Sequence, residues 1–500
     1  MLSAIIVLVG GVGCSDGASA PPDIQTHIAD DHDASPDPAI DAVNDANPDV
    51  SDSDDATQAP VALPEVLAPA VAEDLDPDPH VVEVSLTAKK KRVEILPHLV
   101  VEMWTYNGSI PGPLIHCRVG DEVIVHFQND LPEPTTVHWH GLRIPADMDG
   151  SPRIQDPIPA GGSFTYRFTP PDAGSFWYHP HVKTNEQIEK GLYGLFVVHE
   201  AEDPSVDADR YIALDDILLD TDGLAPFLSD MMEEMHGRTG NTLLTNGQVD
   251  ALELTATKGR VERWRLVNTA NARTMELTLE GASWRVMGTD GGLIATPYGV
   301  GRLVLPVGQR YDLEVTYDQA GTAELQSHVL TVNDHNQVEE LAIPVVSVAV
   351  AESAAAPTVA AWPTVPALPA RVPTDSAELV LDAKSTSQGI EWMINGESMP
   401  MDPLFEVAKG STMTIVLKNK QVPEHPFHLH GQFFEIAKRN GKAVTDEPGL
   451  KDTVLIHGSE TVELRAYMDN PGRWMAHCHI LEHSELGMMG EFLVDDLEAP

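Results

Sequence analysis

The feature that most constrains this chain is that one block of sequence occurs twice. Pro113-Leu-Ile-His-Cys-Arg-Val-Gly-Asp-Glu-Val-Ile-Val-His-Phe-Gln-Asn129 aligns with Pro403-Leu-Phe-Glu-Val-Ala-Lys-Gly-Ser-Thr-Met-Thr-Ile-Val-Leu-Lys-Asn419. Each copy continues to a His-x-His-Gly, at His138-Trp-His-Gly141 and His428-Leu-His-Gly431. A second pair follows, in Gly174-Ser-Phe-Trp-Tyr-His-Pro-His181 and Gly472-Arg-Trp-Met-Ala-His-Cys-His479. Short alternating runs broken by Gly, Pro and Asn are the signature of strands joined by turns. Between the copies, Val261-Glu-Arg-Trp-Arg-Leu-Val-Asn268 repeats the rhythm without the histidines. These runs predict an all-β chain of three sandwich units, at 80–200, 205–350 and 373–500. The Ala/Pro-rich stretch 351–373 reads as the linker before the third. Only the outer units carry the pairs, so a shared site must form where those two meet.

The formal charge of −46 repels phosphate backbones, which argues against a nucleic-acid partner. The excess is uneven, since no Lys or Arg precedes Lys89. Residues 15–79, rich in Asp, Pro and Ala, predict a disordered acidic tether. Residues 1–14 form an apolar segment ending at Cys14 and resemble a bacterial lipoprotein signal. The expectation is an exported chain, periplasmic or held at the outer membrane through a lipid on Cys14. Three cysteines, Cys14, Cys117 and Cys478, cannot build a disulfide framework.

The histidines carry the chemistry. A lone His-x-His is a weak signal, but four at matched repeat positions are not. On a strand the two-residue period puts both imidazoles of a pair on one face and the intervening residue on the other. In His477-Cys478-His479 the imidazoles can therefore serve one metal site while the thiolate serves a second. His425, His483 and Met488 lie three residues before the nearest pair, and five and ten after Cys478. Two imidazoles, a thiolate and a thioether are the ligand set of a blue-copper centre, with zinc the competing metal. Cys117 reads as a core side chain, Trp139 as a packing residue, and His116, His126, His199 and His457 as ordinary strand histidines rather than ligands.

These motifs resemble those of the multicopper oxidases, over about residues 85–498. The resemblance implies three cupredoxin-like Greek-key sandwiches, the middle one without copper ligands, and four copper ions per chain. It implies a type 1 copper on His425, Cys478, His483 and Met488, with electrons passing through Cys478. It implies a type 2 copper on His138 and His428, and a type 3 pair on His140, His179, His181, His430, His477 and His479. The implied reaction couples four one-electron oxidations of a small donor to reduction of dioxygen to two waters. Four protons are consumed, so an acid relay is required. Asp149 matches the family's position, although it also suits a turn before Gly150. The family's second acid would fall on Ser484, leaving Glu485 as the nearest carboxylate.

A phenolic donor is expected, with a monomeric enzyme. Met231, Met232, Met235 and His236 lie on a predicted short helix and could make extra Cu(I) contacts, so a cuprous oxidase is the alternative. A copper nitrite reductase or a pure electron carrier fits less well, since neither needs eight paired imidazoles.

Overall fold

The computed structural model describes residues 69–332, 337–368 and 371–498. The apolar segment 1–14, Cys14 and most of the acidic stretch lie outside the described residues. No helix among the described residues is long and apolar enough to cross a membrane.

The strands fall into three sandwiches. In the first, one sheet has the order Leu99–Tyr106, Val81–Leu96, Glu122–Asn129 and Ser163–Phe168. It faces a sheet of Gly112–Arg118, Gly194–His199, Gly174–His179 and His138–His140. The second and third sandwiches each pair a six-stranded with a five-stranded sheet. Each has its own core, as inward-facing positions alternate with solvated ones along the strands. A further cluster, including Trp177, Tyr193, Ile217, Leu244 and Leu481, packs the junction between domains.

The first domain begins earlier than its composition implies. Pro69 is buried, Val71 bridges to Leu114, and Ala72 packs against the first core. The last part of the stretch read as a tether is thus a strap on the first domain. Its few apolar residues find the open edge of a sheet. The linker is also laid down rather than free: Ala361 bridges to Ser205, and the Trp362 indole donates to Glu314 at 2.5 Å.

Among the described residues three short α-helices interrupt the strands: α1 (Thr184–Glu189), α2 (Met231–His236) and α3 (Leu481–Glu485). α2 starts where the Asp230 carboxylate accepts from the Met232 and Glu233 amides, and ends at Gly237 with φ 75°. It lies against Gly389–Ile394 and α3, both in the third domain.

Candidate metal centres

The histidine pairs sit on adjacent antiparallel strands, and register brings them together. His138 lies opposite His179 in the first domain, and His428 opposite His477 in the third. Strand parity then separates the intervening residues. Trp139 turns into the first core among Tyr166, Phe168 and Phe196. Cys478 turns into the third.

All eight paired imidazoles meet in one buried cluster between the outer domains. His138 stacks on His430 at 4.0 Å, and His140 stacks on His428 at 3.8 Å. Two trios surround these stacks. His181, His430 and His477 have ring separations of 5.1, 5.1 and 5.2 Å. For His140, His179 and His479 they are 5.8, 5.0 and 5.6 Å.

Hydrogen bonds on the outer nitrogens fix the rings. His138 and His428 each donate Nδ1–H to the carbonyl of an aspartate, Asp149 at 2.8 Å and Asp452 at 2.9 Å. His179 and His477 donate Nδ1–H to the carbonyls of Pro180 and Cys478, both at 2.9 Å. The inner nitrogens of His138, His140, His179, His428 and His479 have no hydrogen-bond partner although buried. Buried polar atoms are normally satisfied, so converging orphaned imidazole nitrogens fit bound metal. Burial lowers the basicity of His140, His179, His181, His430 and His479, keeping them neutral, the form that ligates.

The two aspartates clamp the cluster almost symmetrically. Asp149 reaches His430 Nδ1 at 2.9 Å and His138 Nδ1 at 3.2 Å. Asp452 reaches His140 Nε2 at 3.3 Å and His428 Nδ1 at 3.4 Å. Each carboxylate therefore holds one imidazole of its own domain and one of the other. Burial would raise both acids, but the imidazoles of His138 and His430 hold Asp149 far below the usual carboxylate range. Arg310, followed by His140, does the same for Asp452.

Arg310 comes from the middle domain and is fully buried. Its guanidinium donates to both Asp452 oxygens, at 2.7 and 2.6 Å, and to the carbonyl of Ser175 in the first domain at 2.9 Å. The middle domain also supplies Gly308, at φ 81°; a Cβ there would meet His479 Cδ2 at 2.9 Å. Asp452, Arg310 and Gly308 were not anticipated from sequence, because no fixed spacing links them to a motif.

The second pocket lies on the other face of Gly472–Cys478. Cys478 Sγ is 3.4 Å from His425 Nδ1 and 3.7 Å from His483 Nδ1. Met488 is buried beside them, its amide donating to the His483 carbonyl at 2.9 Å. Burial pushes the Cys478 thiol up and pulls His425 down to about 3. A neutral thiol and two neutral imidazoles converging in a dry pocket suit a soft metal that displaces the thiol proton.

α2 covers this pocket. His483 Nε2 donates to the Met235 carbonyl at 3.1 Å. Trp392 packs on the same ring at 3.9 Å and donates its indole N–H to the Glu234 carbonyl. Met231, Met232 and His236 face solvent, whereas Met235 packs on the third core. Glu485 lies elsewhere: its carboxylate accepts from the Thr184 amide at 2.6 Å and contacts none of the clustered histidines. Ser484 donates to the Leu481 carbonyl.

A three-sandwich fold with a shared histidine cluster and a separate Cys/His/Met pocket defines a copper-binding oxidoreductase of the cupredoxin type. Multicopper oxidase family models match residues 87–203, 221–345 and 372–498. Multicopper oxidase MmcO of Mycobacterium tuberculosis is 32% identical, over 81% of this chain and 86% of that protein. Among solved structures, a multicopper oxidase from Campylobacter jejuni, described as a metallo-oxidase, superposes with a TM-score of 0.76. It is 27% identical, over 87% of this chain and 96% of that one. The laccase-like multicopper oxidase CueO from Ochrobactrum sp. gives 0.74 at 27% identity, over 85% and 99%. The chain belongs to the multicopper oxidase family, and is an oxidoreductase that acts with oxygen.

Proposed function

We propose that the protein couples four one-electron oxidations of a small donor to the reduction of dioxygen to two waters, using four copper ions. His425, Cys478, His483 and Met488 would hold the copper that accepts electrons. His138 and His428 would hold one further ion, and the trios His140/His179/His479 and His181/His430/His477 the remaining two. Copper supplies the one-electron redox chemistry and the affinity for dioxygen. The protein supplies oriented imidazoles buried from solvent. Cys478 is bonded directly to His477 and His479, and the hydrogen bond from the His477 ring N–H to the Cys478 carbonyl offers a second path between the pockets beside the covalent one. Asp149, buried against both outer domains, is the residue we assign to proton delivery.

The observation that carries the reading is the convergence of orphaned imidazole nitrogens on one side of Gly472–Cys478 and a thiol on the other. Metal analysis and spectroscopy test it: about four coppers per chain and a thiolate-to-copper visible band are expected. Two or fewer coppers in reconstituted protein would overturn it.

The buried His483 edge bears on the choice of donor. An aromatic donor cannot touch this ring, because α2 lies over it. α2 instead turns Met231 and Met232 to solvent at 64% and 49% exposure, with His236 beside them. Thioethers favour Cu(I). We therefore place a soft metal ion first and phenols second; the description of the Campylobacter relative supports the former. The oxidase activity of the Ochrobactrum relative toward lignin model compounds supports the latter. Oxygen consumption with Cu(I), Fe(II) and a methoxyphenol separates them. Replacing Met231, Met232 and Met235 with Leu should selectively lower the Cu(I) rate. A parent enzyme faster on the phenol than on Cu(I) would reverse the order.

Export, with lipidation of Cys14, remains part of this proposal. Loss of membrane association in Cys14→Ser would support it.

A further inference from the structure

His116 and His199 sit on the neighbouring parallel strands Gly112–Arg118 and Gly194–His199, at the edge of a sheet of the first domain. Sequence reading treats both as ordinary strand histidines. Their geometry admits a second reading. His116 Nδ1 is 3.3 Å from His199 Nε2, with ring centroids 5.5 Å apart and planes at 67°. In the thiolate pocket, His425 and His483 show 3.1 Å, 5.0 Å and 65°. In the histidine cluster, His430 and His477 show 3.1 Å, 5.2 Å and 63°. The surface pair thus repeats the arrangement of paired ligands in both candidate copper centres. Two nitrogens at this separation subtend close to a tetrahedral angle at an ion about 2.0–2.1 Å from each.

We propose that His116 and His199 form a third metal site, taking one imidazole-preferring divalent ion, Cu(II) in preference to Zn(II).

The surroundings fit a ligand pair. Asp203 Oδ1 lies 3.3 Å from His199 Nδ1 and fixes the tautomer that turns the Nε2 lone pair toward His116. The other Asp203 oxygen takes the Arg118 guanidinium at 2.7 Å, so the orienting carboxylate is itself held. Burial lowers the basicity of both imidazoles, keeping them neutral and free to ligate. Asp74, on the strap leading into the first domain, acts electrostatically on His116 and opposes the nearby Arg118 charge. His116 is exposed, so water completes the coordination. Copper is preferred because divalent affinity for imidazole sites peaks at Cu(II). The competing account is a plain imidazole–imidazole hydrogen bond with no affinity for metal.

The test uses the copper-loaded enzyme washed with EDTA, which strips surface ions while the buried copper stays. Titration with Zn(II), a redox-silent probe, should show one equivalent bound by calorimetry, displaced by Cu(II) with a new paramagnetic signal. That equivalent should vanish in His116→Ala and in His199→Ala, and persist in His457→Ala. Asp203→Asn should weaken it about tenfold or more. Retention of the visible thiolate band in each variant reports an intact fold, and donor oxidation should not change. No Zn(II) uptake by the parent, or equal uptake in both alanine variants, overturns the site.

Discussion

The first and third domains carry the same two histidine pairs, yet only the third has a thiolate pocket. By repeat position, Thr135 stands where the third domain has His425, Pro180 where it has Cys478, and Leu192 where it has Met488. The place is not left open. Thr135 Oγ1 donates to Gln187 Oε1 at 2.7 Å, and Gln187 lies on α1, the helix that corresponds in chain order to α3. A histidine pair therefore needs only strand parity and a facing partner, so both copies keep it. A thiolate pocket needs several side chains from separate segments to converge, and only one copy has them. On the proposed function electrons would therefore enter from one side, while the cluster stays nearly symmetric.

The carboxylates extend the comparison. Asp149 and Asp452 each clamp one imidazole from either domain, but only Asp452 is paired with an arginine. Arg310 gives the middle domain, which supplies none of the clustered histidines, a direct part in the site.

The largest effect should come from Cys478→Ser, which removes what distinguishes the third domain. Donor oxidation and the visible band should fall to background, while most of the histidine-bound copper remains by metal analysis. Loss of all copper would show that the two pockets fold as one. Next is Arg310→Ala, which leaves Asp452 as an unpaired buried charge and should cost about 3–5 kcal/mol in denaturant unfolding. Arg310→Lys should recover part of that loss but not the bidentate contact.

Asp149→Asn tests whether the unpaired carboxylate differs in role from its symmetric mate. It should slow reoxidation by dioxygen about 10–100-fold in stopped-flow, leaving reduction of the thiolate centre by donor unchanged. Equal slowing of both half-reactions would reduce Asp149 to an orienting residue like Asp452.

The smallest effect concerns α1 and α3, which meet where Glu485 accepts from the Thr184 amide. Burial raises Glu485 above its ordinary 4.5. Its proton is then held more tightly in the folded state, so its contribution is full below 4.5 and is lost as pH rises through the raised folded value. Glu485→Gln should flatten this slope, by under about 2 °C in melting temperature between pH 4 and 7. Oxygen reduction should not change, since Glu485 touches no clustered histidine.

Much of this site was legible because it is encoded by short-range periodicity. His477-Cys478-His479 states its own geometry, since successive residues on a strand face opposite sides. The same rule placed Trp139 in the core. The acids were half legible: Asp149 follows its histidines closely in sequence, whereas Asp452 lies at the end of a long excursion from His430. His116 and His199 each look ordinary alone, and only the parallel pairing of their strands brings them within 3.3 Å.

The sequence by itself determined the repeats, the strand character and the identity of the clustered imidazoles, because alternation and spacing act within a few residues. Only the tertiary structure decided that Arg310 reaches Asp452, that Gly308 backs the cluster, and that α2 lies over His483. These contacts join segments of different domains. Their distances depend on how whole sandwiches pack, and no local pattern in the chain records that packing.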